Sequence, residues 1–178
     1  QIWIACHGYG EIASEFIASM QGIVDDETYV VAPEALSRFY WGGKFDGKPV
    51  ASWMTREDRI NEIQDYSNYL SVVLDDVLSK ASKDVRIILF GFSQGSATIM
   101  RWANAKKPKC NAIVIWSGMI PEDIDYSAEY YDDIKLYCRY GDQDRFITNE
   151  RSAQHSSLMG KKGLTFQIEA FIGKHKVY

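Results

Sequence analysis

One serine stands in a sequence context typical of an enzymatic nucleophile. Ser93 is the centre of the sequence Gly-Phe-Ser-Gln-Gly at 91–95, which follows an apolar run at 85–90 and leads into a helical pattern. In this strand–turn–helix context a sharp turn exposes the serine hydroxyl above a sheet. The five-residue pattern alone also fits an ordinary glycine-rich turn. The flanking strand and helix favour Ser93 as the nucleophile of an acyl-transfer reaction.

A serine nucleophile needs a general base, and the chain contains three histidines. In sheets with this serine turn the order along the chain is serine, carboxylate, histidine, which excludes His7 because it precedes Ser93. His155 lies inside a predicted helix at 149–159, which is typical of a packing or surface histidine. His175 follows the last predicted strand, where its side chain can reach over the carboxyl edge of the sheet. We therefore predict that His175 is the base.

Two aspartates could orient that histidine. Asp142 and Asp144 lie in the sequence Gly-Asp-Gln-Asp at 141–144, directly after a predicted strand at 134–140. A carboxylate at this edge could bind the imidazole, or it could form the turn by hydrogen bonding to its own backbone. Their positions in the sequence do not show which of the two aspartates orients the histidine.

The segment His-Gly-Tyr-Gly at 7–10 could stabilise negative charge during acyl transfer. It follows the first predicted strand, and backbone N–H groups that face a developing oxyanion contribute about 3 kcal/mol each. The expected donors are the N–H of Gln94, after the nucleophile, and the N–H of Tyr9. His7 is predicted to hold this loop through its ring. The segment lacks the spacing and the lysine of a phosphate-binding loop.

The elements that must position these residues alternate along the chain. Strand-like apolar runs occur at 2–5, 28–32, 85–90, 111–116, 134–140 and 164–171. Segments of helical period occur at 11–20, 58–81, 95–105 and 149–159. Nearly continuous apolarity is typical of strands covered on both faces. The alternation predicts an α/β fold in which helices cover both faces of a mostly parallel sheet.

Residues 33–57 interrupt this alternation. The segment shows neither strand nor helix period, but it is rich in aromatic residues. Loops of this length are usually functional or disordered, and the aromatic content argues against disorder. We predict that residues 39–54 line an acyl pocket beside Ser93, and we select Trp41, Trp53 and Met54 as pocket residues. The alternative is a loop that packs on the core.

Composition limits the class of protein and its partners. The length of 178 residues fits a single domain over 1–178. The chain has 20 Lys and Arg residues and 24 Asp and Glu residues. The resulting net charge of −4 disfavours nucleic acid as a partner. No apolar run approaches the length of about 18 residues typical of a membrane span. Metal and dinucleotide motifs are absent from the sequence, so we expect no metal and no cofactor.

The cysteines bear on location. The chain has three of them, Cys6, Cys110 and Cys138, and they are scattered and odd in number. Such a set does not form a disulfide framework and is typical of a reducing compartment. We therefore expect a cytoplasmic protein.

Taken in order, these motifs resemble the phospholipase/carboxylesterase branch of the α/β-hydrolases, the family that includes acyl-protein thioesterases. The resemblance spans nearly the whole chain through the segments at 7–10, 33, 51–53, 91–95, 117–118, 141–144 and 173–175. It implies a three-layer α/β-hydrolase fold. It also implies that the orienting carboxylate is Asp144, which ends its loop, and that Asp142 forms the loop. Because the segment at 39–54 is distinctive, the substrate preference of the thioesterases is not carried over.

The residues and the resemblance together predict a serine hydrolase that cleaves carboxylic esters or thioesters of small-molecule or lipid-like acyl substrates. Ser93 attacks the carbonyl, His175 transfers the proton, Asp144 orients the imidazole, and an acyl-enzyme forms. One alternative is an α/β-hydrolase fold retained as a binding module without turnover. A serine peptidase on the same fold is another. The sequence leaves the acyl length, the leaving group and the oligomeric state open.

The two ends of the chain depart from the resemblance. Family members have strands before the first strand seen here, and they have a helix after the catalytic histidine. Here only residues 176–178 follow His175, and the last residues of a domain fray unless they are tied down. We expect either that natural sequence is missing beyond both ends or that His175 is poorly placed.

Overall fold

A computed structural model describes residues 1–177, and these form eight strands, five α-helices and two short 3-10 helices at Met20–Gly22 and Trp41–Gly43. The strands are β1 (Ile2–Cys6), β2 (Tyr29–Val31), β3 (Ser37–Tyr40), β4 (Pro49–Ser52), β5 (Ile87–Phe92), β6 (Ala112–Trp116), β7 (Lys135–Gly141) and β8 (Phe166–Phe171). The helices are α1 (Ala13–Ser19), α2 (Arg59–Lys80), α3 (Gln94–Lys106), α4 (Ala128–Tyr131) and α5 (Asn149–Lys161).

Six of the strands form one sheet in the order β2-β1-β5-β6-β7-β8, and every neighbouring pair is parallel. The central strand β5 is buried along its whole length, which explains its continuous apolar sequence. Alternate side chains of the strands point to opposite faces. Ile4 and Leu89 pack in the cluster that includes residues of α2, α3 and α5, whereas Ala5 and Phe90 pack with α1. The predicted fold class is confirmed.

The helices follow the predicted periodicity. In α2 the buried residues Tyr66, Leu70 and Leu74 recur every four positions, so one stripe of the helix faces the core. The helix begins and ends within one residue of the predicted segment at 58–81. Helix α3 begins directly after β5 and packs closely on it, and seven of its residues are buried. None of the helices in the described part of the chain is long and apolar enough to span a membrane.

The prediction that residues 33–57 lack regular structure was wrong. Strands β3 and β4 pair in antiparallel fashion to form a hairpin, with Ser37 opposite Ser52 and Tyr40 opposite Pro49. The chain reverses after Trp41 through Gly42 and Gly43, which have φ values of 79° and 73° that glycine adopts without strain. Strands of four residues are too short for their alternation to stand out in a sequence, and here β4 is buried from Val50 to Ser52 while β3 has no buried residue.

The register of the sheet brings the carboxyl ends of its strands to one edge. Cys6 lies beside Gly91, Phe92 beside Trp116, and Gly141 beside Phe171. The segments that follow β1, β5, β6, β7 and β8 therefore emerge at the same edge. This is the edge at which sites form in open parallel sheets, and the predicted site residues at 7–10, 93–94, 142–144 and 175 follow four of these strands.

Candidate active site

Ser93 lies in the sharp turn between β5 and α3. Its backbone has φ 52° and ψ −114°, a conformation that costs a non-glycine residue energy and is held here by the surrounding structure. Its N–H donates to the carbonyl of Trp116 at 2.9 Å. The flanking glycines are required by close packing, because a Cβ at Gly91 would collide with the carbonyl of Gly95, and one at Gly95 with that of Cys6. The turn leaves the Ser93 side chain partly exposed.

The structure brings His175 and Asp144 to Ser93. The His175 Nε2 atom lies 3.0 Å from Ser93 Oγ, and Nδ1 lies 2.7 Å from Asp144 Oδ2. With the proton on Nδ1, the ring donates to the carboxylate and accepts from the serine hydroxyl. The Asp144 side chain is fully buried, whereas the His175 side chain is 20% exposed. One ring nitrogen of the imidazole is therefore held by a buried carboxylate, and the other nitrogen lies beside the serine hydroxyl.

The two aspartates have different partners. Besides binding the imidazole, Asp144 accepts the backbone N–H of Phe146 at 2.8 Å through Oδ1. Asp142 is exposed and accepts the N–H of Gly173 at 3.0 Å, which ties the loop after β7 to the loop after β8. The geometry therefore places Asp144 at the histidine and Asp142 in the loop.

The segment around His175 is held on both sides. The carbonyl of Gly173 accepts the N–H of Gln143 at 2.8 Å. After the histidine, the Trp116 indole donates to the carbonyl of Lys176 at 3.0 Å, and Val177 is buried against the face that holds α1. These contacts hold the loop that carries His175.

Two backbone N–H groups are candidates for binding an oxyanion. Gln94 is the first residue of α3, so its N–H belongs to the helix turn that has no intrahelical acceptor. In the loop after β1, the N–H of Gly8 donates to Glu11 Oε2 at 2.7 Å and the N–H of Gly10 to the carbonyl of Ala51 at 2.9 Å. The N–H of Tyr9 lies between them and, like that of Gln94, has no protein acceptor among the described residues.

His7 holds this loop, which confirms its predicted structural role. The ring is fully buried, its Nδ1 lies 2.8 Å from the carbonyl of Gly8, and its Nε2 lies 3.1 Å from the N–H of Ala35. A neutral ring with the proton on Nδ1 satisfies both contacts. Burial lowers the pKa of His7, which favours this neutral form.

His155 is a packing residue, as its place in a helix predicts. Its Nε2 accepts the backbone N–H of Ile120 at 2.8 Å, and burial lowers the pKa of the ring from 6.5 to about 4. The ring therefore remains neutral in the folded protein, whereas in the unfolded chain it takes up a proton near its ordinary pKa.

This difference predicts a pH-dependent stability. Between pH 6.5 and about 4 the unfolded chain binds more protons at His155 than the folded protein does, so the free energy of unfolding should fall as the pH is lowered through this range. Each unit of pKa difference contributes about 1.4 kcal/mol. Urea unfolding of the wild type and of His155→Gln at several pH values measures the effect. The variant should show a shallower decline, and equal declines would contradict the assignment.

A cavity of 590 Å³ opens beside Ser93 and His175. Its lining consists of Gly8, Tyr9, Glu11, Trp41, Phe92, Ser93, Ala97, Ser117, Gly118, Met119, Arg145, Phe146, Ile147, Arg151 and His175. A cavity of this size could hold a small ester with its carbonyl at Ser93.

Of the three predicted pocket residues, the structure places Trp41 in this lining but not Trp53 or Met54. Trp53 is 1% exposed and lies in the core, where its indole donates to the carbonyl of His7 at 2.9 Å. Met54 packs on the same core cluster. The selection of Trp53 and Met54 therefore needs correction, because β4 carries them inward while Trp41 remains at the exposed end of the hairpin.

The sequence analysis did not predict the contacts made by the side chains of Gln94 and Glu11. The Gln94 amide binds the segment after β4, since it accepts the N–H of Trp53 at 3.1 Å and donates to the carbonyl of Met54 at 2.8 Å. The Glu11 carboxylate lines the cavity and holds the N–H of Gly8, and burial raises its pKa. The only signal in the sequence was the position of Glu11 directly after the segment at 7–10.

The described residues contain no group of three or more His, Cys, Asp or Glu side chains that could hold a metal ion. The groups present at the cavity include the serine, the imidazole, the carboxylates and the backbone N–H groups. These groups can together perform nucleophilic acyl transfer.

Solved structures of other proteins share the fold of this chain. The chain is similar in structure to acyl-protein thioesterase 2 of Zea mays, with 17% identity, a TM-score of 0.73, and coverage of 99% of this chain and 87% of the other. It is similar to SOBER1 of Arabidopsis thaliana, with 14% identity, a TM-score of 0.72, and coverage of 100% and 91%. Esterase PE8 is 23% identical with a TM-score of 0.64, at coverage of 100% and 86%. At these identities the likeness shows a shared fold.

A comparison with curated protein sequences found no match. The sequence model of the phospholipase/carboxylesterase family matches residues 1–166, a range that includes Ser93 and Asp144 and ends before His175. This match covers most of the chain, and the structure has the parallel sheet and the serine turn of the α/β-hydrolases. The chain therefore belongs to the phospholipase/carboxylesterase family of α/β-hydrolases.

Proposed function

We propose that the protein is a serine hydrolase that cleaves carboxylic esters or thioesters through an acyl-enzyme. The observation that carries this proposal is the hydrogen-bonded series from Ser93 through His175 to Asp144 at the wall of the cavity. The family match supports ester hydrolysis as the class of reaction. Structurally similar proteins that are named an acyl-protein thioesterase and an esterase support it further.

The first half of the reaction acylates the serine. Ser93 Oγ attacks the carbonyl carbon while His175 Nε2 takes the hydroxyl proton, and the buried Asp144 carboxylate stabilises the imidazolium. The carbonyl oxygen becomes negatively charged and faces the N–H groups of Tyr9 and Gln94. His175 then gives its proton to the leaving alcohol or thiol as the bond to the carbonyl carbon breaks.

The second half releases the acid. Water enters the position of the leaving group, and His175 takes its proton as the oxygen attacks the acyl carbon. The same two N–H groups stabilise the second oxyanion. The bond to Ser93 Oγ then breaks, the serine recovers a proton from the imidazolium, and the carboxylic acid leaves.

Trp41 is the part of the hairpin proposed to contact the acyl chain. It lies in the cavity lining and is 55% exposed, so a bound acyl group can cover it. Its ring centre lies 6.1 Å from that of Tyr9 and 6.4 Å from that of Phe39, in tilted arrangements, so the three rings form one apolar surface.

Substitutions of two tryptophans distinguish a side chain that contacts the acyl chain from one that packs in the core. Trp41→Ala should change the ratio of kcat/KM for short and longer acyl esters, because each buried methylene contributes about 0.8 kcal/mol. Trp53→Ala should lower the free energy of unfolding by about 3–5 kcal/mol and leave that ratio unchanged. Ester hydrolysis over a series of chain lengths, with urea unfolding, measures both. A ratio changed by Trp53→Ala and not by Trp41→Ala would reverse the two roles.

The proposed function is tested with a fluorophosphonate probe and a panel of substrates. The probe should label the wild-type protein, and hydrolysis of esters should exceed hydrolysis of matched amides. A protein that is neither labelled nor active on any ester would instead be a binding module on this fold. Faster cleavage of amides would indicate a peptidase.

The cysteines support a reducing compartment, and we propose the cytoplasm. All three are free thiols, and Cys6 and Cys138 are buried. Burial raises the pKa of Cys138 to about 12 and that of Cys110 to about 11. Protonated thiols of this kind are poor nucleophiles and do not compete with Ser93.

A further inference from the structure

The charges in the lining of the catalytic cavity differ from those of the chain as a whole. The chain has a formal net charge of −4, but apart from His175 the charged residues of the lining are Arg145, Arg151 and Glu11. The carboxylate of Glu11 already holds the N–H of Gly8, and burial raises its pKa. The wall formed by the two arginines is therefore positive.

Both arginines are fixed close to the catalytic base. The Arg145 guanidinium lies 4.7 Å from the centre of the Phe146 ring, and that ring packs edge-on against His175 with 4.6 Å between ring centres. Arg151 donates to the carbonyl of Phe146 at 2.8 Å. Both guanidinium groups thus contact Phe146, the residue that packs against the His175 imidazole.

Neither arginine forms an ion pair within the part of the chain that the structure describes. Arg145 and Arg151 have no carboxylate within 4.0 Å among the described residues, whereas Arg38, Arg59, Arg101 and Arg139 all form ion pairs. Both remain exposed to solvent at the mouth of the cavity. A guanidinium with free N–H groups binds a carboxylate or phosphate through charge-assisted hydrogen bonds.

We propose that Arg145 and Arg151 bind an anionic group of the substrate, so that the protein prefers esters that carry a carboxylate or phosphate. This inference rests on the proposed ester hydrolysis at Ser93 and names its substrate class. The anionic group lies beside Phe146 and Met119, which the two arginines contact. It is carried either by the acyl part or by the alcohol part of the ester.

Two pairs of esters distinguish these sources. In the acyl pair, the mono-para-nitrophenyl ester of adipic acid is compared with para-nitrophenyl hexanoate, which has the same acyl length and leaving group but no charge. In the alcohol pair, para-acetoxybenzoate is compared with para-tolyl acetate. For each pair the quantity measured is the ratio of kcat/KM for the anionic ester to kcat/KM for the neutral one.

The variants are Arg145→Gln, Arg151→Gln and the double substitution. In one of the two pairs, each single variant should lower the ratio by about tenfold, equivalent to about 1.4 kcal/mol and near the low end for a hydrogen bond to a charged group. Arg145→Lys should retain most of the ratio because it keeps the charge. Arg86→Gln is the matched control, since Arg86 is exposed, forms no ion pair with any described residue and precedes β5 at the opposite edge of the sheet.

Added salt provides a second readout. The ratio of the wild type should fall as salt screens the exposed guanidinium groups, and that of the double variant should change little. Ratios that are the same in the wild type and the double variant for both pairs, while the neutral esters are still hydrolysed, would overturn this inference and leave the proposed function intact. A wild-type protein that hydrolyses none of the four esters would contradict the proposed function and this inference with it.

Discussion

Replacing Ser93 by alanine should lower kcat for ester hydrolysis by about 10⁶, the size of effect that removal of the nucleophile has in other triad hydrolases. Without Oγ no acyl-enzyme can form, and the N–H groups of Tyr9 and Gln94 can only support slow attack by water. The free energy of unfolding should change little, because Ser93 Oγ has a hydrogen bond only to His175 among the described residues. Steady-state kinetics and urea unfolding measure the two quantities.

A fluorophosphonate probe gives an independent measurement on the same variant. Labelling should be lost in Ser93→Ala and retained in Ser156→Ala, which removes the hydroxyl of an exposed serine in α5. Ester hydrolysis close to the wild-type rate in Ser93→Ala would mean that the nucleophile is another residue, and the proposed mechanism would be wrong.

The second large effect is expected for Asp144→Asn, which should lower kcat by about 10⁴. An amide at this position presents an N–H to His175 Nδ1 and favours the tautomer with the proton on Nε2. That tautomer cannot accept the proton of Ser93. The fold should remain intact, because the asparagine oxygen can still accept the N–H of Phe146.

Asp142→Asn is the matched control, since it makes the same chemical change two residues away. Asp142 accepts the N–H of Gly173 and does not touch the imidazole, and an asparagine oxygen can replace that contact. Kinetics and unfolding should therefore show a small effect, mainly on stability. If Asp142→Asn lowered kcat more than Asp144→Asn, the orienting carboxylate would have been assigned to the wrong residue.

The sequence was most informative where a few contiguous residues decide the conformation. The turn at 91–95 could be predicted because a buried strand, two glycines in close contact and a helix start follow one another directly. The long helix α2 and the buried strands were predicted because their apolar residues repeat with the period of the element. The alternation of these elements also predicted the parallel sheet, since parallel neighbours need a crossover between them.

The sequence was least informative where the contact joins distant segments. Asp142 and Asp144 are two residues apart in one loop, and only the packing of the loop after β8 places one at Gly173 and the other at His175. Trp41 and Trp53 lie in the same aromatic segment. Pairing of β3 with β4, and of Ala51 with the loop after β1, turns Trp53 into the core and leaves Trp41 at the cavity.

The sequence by itself therefore determined the order of the strands and helices along the chain, the parallel sheet they form, and the nucleophile turn with the candidate base and carboxylates at one edge of that sheet. The tertiary structure alone decided which aspartate reaches the imidazole, which tryptophan faces the cavity, and that Glu11, Arg145 and Arg151 share its lining. The physical reason is that backbone conformation depends on neighbouring residues, whereas the distance between side chains many residues apart depends on how the strands and loops pack.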